Sequence, residues 1–157
     1  MTTHEIKAKE LFSQGYNCSQ AVFAAFAEDM NIDEKTALML SSSFGGGMGR
    51  LREVCGAVSG MFMVIGALFG YSEIEDRELI REHYERIQKL ARQFKEENNS
   101  IICRDLLGIL NKNEDPMPTE RTTEFYKKRP CVELVNDAVR LTEKMISEEK
   151  AKSESIN

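Results

Sequence analysis

Apolar positions recur at helical spacing along nearly the whole chain. Residues 3–13 read as a short polar helix that stops near Gly15. Asn17 is placed to cap a second helix, in which Cys18, Ala21, Val22, Ala25 and Phe26 share one face. Asp33 caps a third, from Glu34 to about Ser42. Gly45, Gly46, Gly47 and Gly49 then break the chain, and a fourth helix is predicted from about Glu53 to Gly70. A fifth, long and charged, spans about Ile74 to Lys95 with a stripe of Ile80, Tyr84, Ile87, Ala91 and Phe94. Asn99 or Ser100 opens a short sixth that ends at Gly108. Residues 109–129 are polar, carry Pro116 and Pro118, and read as a loop. Pro130 suits the first position of a last helix, whose inner face is Cys131, Leu134, Val135, Ala138, Leu141 and Met145. The polar stretch from Ser147 is expected to fray. No segment alternates with period two. The pattern predicts an all-α fold: a single-domain helical bundle of about six to seven helices over residues 1–146, with a polar tail at 147–157.

Of 157 residues, 41% are apolar and 30% charged, enough for one core and too hydrophobic for a disordered chain. The net charge of −5, with no long basic run, argues against nucleic acid as a main partner. Val54 to Tyr71 is the longest apolar stretch without a charge, but Cys55, Ser59 and four glycines interrupt it. It reads as a buried helix rather than a stable membrane insertion. The first ten residues carry no apolar run, so no secretory signal is expected. The expected location is the cytoplasm, where thiols are reduced, metal-bound or catalytic.

Phe44 to Tyr71 holds 8 of the 10 glycines. In a helix, Gly56, Gly60, Met63, Ala67 and Gly70 would share one face. Such a face suits close packing, within the chain or in a homo-oligomer, or contact with a cofactor. The run Phe44-Gly-Gly-Gly-Met-Gly-Arg50 matches neither the dinucleotide fingerprint nor the phosphate-binding loop. It reads either as a flexible or left-handed turn, or as a set of N–H groups at Gly45, Gly46 and Gly47, joined by Gly56, that face an anion or a sulfur cluster.

The four cysteines, at 18, 55, 103 and 131, form no Cys-x-x-Cys and no zinc-ribbon spacing. Each falls in or near the first turn of a predicted helix, where exposed N–H groups and the helix dipole favour a thiolate. Arg50 and Arg52 precede Cys55, Arg104 follows Cys103, and Lys127 to Arg129 precede Cys131. Four converging helix starts would make a pocket for a soft metal or an iron–sulfur cluster, or two exchanging thiol pairs. Cysteine is also a common buried apolar residue, and Cys18 and Cys131 lie on apolar stripes. Cys55 is expected to be the most acidic thiol and Cys131 the next, so these two are the candidate catalytic residues; Cys18, without a basic neighbour, is expected to be packed. His4 and His83 read as solvated. No Glu-x-x-His pair is present, so the di-iron carboxylate signature is missing. Gly56-Ala-Val-Ser-Gly60 has its serine one place late for a nucleophile elbow.

At Cys55-Gly-Ala-Val-Ser-Gly60 the chain resembles the redox-active protein family named for its four-cysteine CGAxxG pattern. Cys18 in Gly15-Tyr-Asn-Cys-Ser-Gln-Ala21 corresponds to the first family cysteine and Cys55, behind the glycine run, to the motif cysteine. Cys103 in Cys103-Arg-Asp-Leu-Leu-Gly108 corresponds to the third and Cys131 in Cys131-Val-Glu-Leu-Val135 to the fourth. The resemblance runs from about residue 6 to 146. It implies a redox role carried by the cysteines; a related domain in a multihaem cytochrome is associated with an iron–sulfur centre. No Cys-x-x-Cys-His haem site occurs here. The resulting expectation is a redox-active protein, a candidate oxidoreductase. Its Cys18, Cys55, Cys103 and Cys131 would bind an iron–sulfur cluster or other soft metal and exchange electrons with a redox partner. The alternatives are a metal-free thiol–disulfide oxidoreductase and a structural or oligomerising protein. Four cysteines allow three disulfide pairings, and spacing does not choose among them.

Overall fold

Side-chain caps set where most helices begin. Thr2 and Asn17 form reciprocal capping boxes with Glu5 and Gln20. Asp33, Asp76 and Thr122 accept from backbone N–H groups of the first turns they precede. The resulting order, in a computed structural model, is α1 (Thr3–Ser13), α2 (Cys18–Ala25), α3 (Glu34–Ser41), a 3-10 turn (Ser42–Phe44), α4 (Gly45–Met48), α5 (Gly56–Phe69), α6 (Arg77–Asn98), α7 (Cys103–Leu107), α8 (Thr123–Lys128) and α9 (Cys131–Ile156). The structure describes residues 1–109 and 115–156; residues 110–114 of the expected loop, Asn157 of the expected tail and the Lys128 side chain lie outside the described residues. Among the described residues no strand forms, and one isolated antiparallel bridge joins Val54 to Ile102. The fold is all-α.

The core lies between α2, α5 and α9, with α1 and α6 packed on its sides. Phe26, Met61, Ile65, Leu90, Phe94 and Leu141 are fully buried in it. Every residue expected on the inner face of α9 is buried. The glycine face of α5 is used inside the chain. A Cβ at Gly60 would stand 2.9 Å from the Ser19 carbonyl oxygen and 3.0 Å from Val22 Cβ, so α2 rests directly on the α5 backbone. Gly56 and Gly60 therefore serve α2–α5 packing, and this part of the face is not presented outward for a homo-oligomer.

Several expected boundaries move for identifiable reasons. α5 starts at Gly56 instead of Glu53, because Cys55 is its N-cap. α6 starts at Arg77, behind Asp76, and ends where Asn99 turns left-handed. Its buried seam includes Leu90 with Phe94, while Tyr84 is exposed. Part of the expected loop forms α8 behind its Thr122 cap. The expected frayed tail is helical to Ile156; Lys89 and Arg86 of α6 pair with Glu148 and Glu149 at 2.8 and 3.1 Å. His4 is half-buried rather than solvated. Its ring stacks on Phe26, Nδ1 meets Glu143 at 2.8 Å and Nε2 meets Asp29 at 2.7 Å. His83 is also half-buried, edge-on to Tyr71. No helix among the described residues is long and apolar enough to cross a membrane.

Candidate functional site

Cys18, Cys103 and Cys131 are the first residues of α2, α7 and α9, and Cys55 is the N-cap of α5. The bridge region lays two of these starts side by side: Cys55 N donates to the Ile101 carbonyl at 2.8 Å and Cys103 N to the Glu53 carbonyl at 2.6 Å. All four cysteines line one cavity of about 530 Å³. Gly45, Gly46, Gly47 and Gly56 line it too.

The glycine run builds one wall by turning against the usual hand. Gly46, Gly47, Met48, Gly49 and Arg50 are five consecutive residues with φ between 60° and 72°. A residue with a Cβ loses roughly 1–2 kcal/mol in this conformation, so the turn depends on its glycines. Gly47 has a second reason: a Cβ there would lie 2.6 Å from Cys103 Cβ and 2.8 Å from Arg52 Cα. The turn closes by bonds from Arg50, Arg52 and Glu53 N–H groups to the carbonyls of Gly45, Gly46 and Gly47. It delivers two arginines to the cavity. Arg50 donates from Nε to the Asp115 carbonyl at 2.8 Å and from Nη1 to Thr119 Oγ1 at 3.2 Å. Arg52 is only 4% exposed; its Nη1 donates to Cys103 Sγ at 3.7 Å, and its buried Nε has no hydrogen-bond partner among the described residues.

Two further arginines come from the α8 region. Arg121 lies over the rings of Phe12 and Phe125 and donates to the carbonyls of Phe12, Gly15 and Tyr16. Arg129 lies over Phe125. The wall thus carries four cysteines, four arginines and, among the described residues, no carboxylate. In a chain of net charge −5 this concentrates positive charge in one place.

The thiols are not equivalent. The neighbouring Cys131 and burial push the Cys18 thiol up, while Cys18, with Arg129, Arg121 and Arg52 outweighing burial, brings Cys131 down to about 7. Burial pushes Cys55 up to about 12 despite the N–H groups of Val58 and Ala57. Burial also raises Cys103, with Arg52 pulling the other way.

A family model described as "putative redox-active protein (C_GCAxxG_C_C)" matches residues 16–145, a span that holds all four cysteines and the glycine run. The chain belongs to this family. Neither curated proteins nor solved structures give a match. Where the family's pattern sets glycine before its central cysteine, this chain has Val54 before Cys55 and Gly56 after it. Gly56 has little room for a side chain: a Cβ would lie 3.0 Å from the Phe44 carbonyl oxygen and 3.3 Å from Cys18 Cβ.

The four cysteines of this redox-active family do meet on one cavity, but Cys55 and Cys131 differ from their expected order of acidity. Cys131, not Cys55, is the acidic thiol, because α5 buries Cys55 whereas Cys18 and three arginines stabilise the Cys131 thiolate. Cys18 is half-buried and lines the same cavity as Cys131. The burial of Arg52 and the anchoring of Arg121 have no signature in the sequence, since each depends on a distant segment.

Proposed function

We propose that the chain is an electron-transfer protein in which Cys18, Cys55, Cys103 and Cys131 hold an iron–sulfur cluster or another thiolate-bound metal. The supporting observation is the makeup of one cavity wall: four thiols, four guanidiniums and no carboxylate among the described residues. A thiolate-ligated centre is anionic, and helix N-termini with arginines favour negative charge. The bound group would supply a centre that takes up and gives back single electrons. The chain's own residues do the rest. Arg52 provides countercharge beside Cys103, and Phe12, Phe125 and Leu134 line the same cavity with apolar surface. Gly47 lets the left-handed turn approach Cys103. Among the described residues no three His, Cys, Asp or Glu side chains already stand at ligating range of one point; loading therefore requires the thiols to draw together.

The raised Cys18 thiol and the lowered Cys131 thiol on one cavity wall favour a second reading, metal-free dithiol exchange. The Cys131 thiolate attacks a partner disulfide and releases one partner thiolate. Cys18, losing its proton, then attacks the Cys131 sulfur of the mixed disulfide and releases the partner's other sulfur as a thiolate. The partner disulfide is reduced and a Cys18–Cys131 disulfide is formed. Either chemistry suits a reducing compartment such as the cytoplasm.

Anaerobic purification with iron and inorganic sulfide analysis separates the two. The expected result is stoichiometric iron and sulfide, lost in Cys55→Ser and Cys103→Ser. Metal-free protein with a reversible two-electron couple that survives both substitutions would overturn the metal reading.

A further inference from the structure

Arg52 is a buried cation that no carboxylate pairs among the described residues. It is 4% exposed, lines the cavity, and has an Nε with no hydrogen-bond partner among the described residues. An uncompensated charge in such a place is costly, so native proteins pair it. Cys103 Sγ, 3.7 Å from Nη1, engages one edge of the fork. The proposed centre does not balance the rest. A ferric two-iron cluster with two sulfides and four thiolates has a formal charge of about −2, against four guanidiniums on the wall. Arg121 is anchored to three backbone carbonyls and Arg50 to Asp115 and Thr119. The Arg129 guanidinium lies over the Phe125 ring, and its side chain makes no hydrogen bond or ion pair among the described residues. Arg52 and Arg129 line the same cavity as Cys103 and Cys131.

We propose that this cavity also binds a small oxyanion, seated between Arg52 and Arg129 beside the thiols. Planar guanidinium forks match the paired oxygens of carboxylate and of tetrahedral oxyanions. The volume of about 530 Å³ falls in the range of small-ligand pockets. The site deepens the proposed electron-transfer reading by placing an anionic ligand at the redox centre, but its arginines do not require metal.

The test is isothermal titration of the full chain, purified anaerobically, with sodium phosphate, sodium sulfate or sodium acetate at constant ionic strength. Iron is measured on the same sample. Saturable binding of one equivalent is expected for at least one of the three; preference for phosphate and sulfate over acetate marks a tetrahedral ligand, and the reverse marks a carboxylate. Arg129→Gln should weaken that binding by about tenfold or more, as for loss of a charge-assisted hydrogen bond. This variant is chosen because Arg129 is only half-buried, whereas Arg52→Gln disturbs a buried position. No saturable heat with any of the three up to about 10 mM, or equal affinity in the variant and the parent, would overturn the proposal. Oxyanion binding to iron-free protein would sustain it while counting against the metal reading. Iron-loaded protein without oxyanion binding would do the opposite.

Discussion

Two glycines of α5 should respond oppositely to the same substitution. In Gly60→Ala the new Cβ would sit 2.9 Å from the Ser19 carbonyl oxygen and 3.0 Å from Val22 Cβ. Both contacts belong to α2, and the nearer one is backbone, so a rotamer change cannot relieve it. Overpacking of this kind costs about 1–3 kcal/mol, and the better helix propensity of alanine returns up to about 1 kcal/mol. A mid-range cost of about 2 kcal/mol less a return of up to about 1 kcal/mol leaves an expected loss of about 1–2 kcal/mol. In Gly66→Ala the Cβ meets nothing within 4 Å, so only the gain of about 0.4–1 kcal/mol remains. For a chain of this size 1 kcal/mol moves Tm by about 2–4 °C. Thermal unfolding followed by far-ultraviolet circular dichroism should therefore show Gly60→Ala about 2–8 °C below the parent and Gly66→Ala about 1–4 °C above it. Because α2 begins with Cys18 and α5 is capped by Cys55, Gly60→Ala should also disturb thiol reactivity, and Gly66→Ala should not. An unchanged or raised Tm in Gly60→Ala would refute the account of the α2–α5 contact.

Burial pulls the His4 imidazole down, but its hydrogen bonds to Asp29 and Glu143 outweigh this and hold its pKa above 6.5. The stability it contributes is thus complete below about pH 6.5 and fades as pH rises through the raised folded value. Urea midpoints of the parent and His4→Gln should differ more at about pH 6 than at about pH 8.5, and a gap that widens with pH would contradict the pairing. In reduced, metal-free protein, alkylation followed by peptide mapping should label Cys131 ahead of Cys55 near neutral pH, since their pKa values are about 7 and about 12. Cys18→Ala should shift the Cys131 labelling profile to higher pH by removing the neighbour that holds its pKa down; labelling of Cys55 first would overturn the ranking.

The helix starts could be read from the chain because capping is local chemistry. Asn17, Asp33 and Pro130 announce themselves within a few residues, and the cysteines beside such signals do stand at helix starts. The all-α class and the inner face of α9 follow from periodicity alone. What escaped was non-local. Nothing near Cys55 in sequence says that α5 will bury it and raise its pKa, or that Cys18 will come against Cys131. His4 looks like a surface histidine until the turn after α2 and helix α9 bring Asp29 and Glu143 to its two nitrogens. Arg52 looks solvated until a left-handed turn folds it under the glycine run. The helical end of α9 was missed because its polar composition hides the cross-helix ion pairs with α6.

The four thiols belong to four helices scattered from the first part of the chain to the last. No pair of them sits in a short loop that could close early, so the cavity wall exists only after most of the bundle has been assembled. Maturation of the proposed centre would therefore be a late event, following folding instead of guiding it. Once formed, a bridge between any of these thiols, by metal or by disulfide, ties distant segments and lowers the entropy of the unfolded chain. Loading the centre should then act as a latch on the entire bundle. Stripping it should loosen helices that touch no cysteine at all.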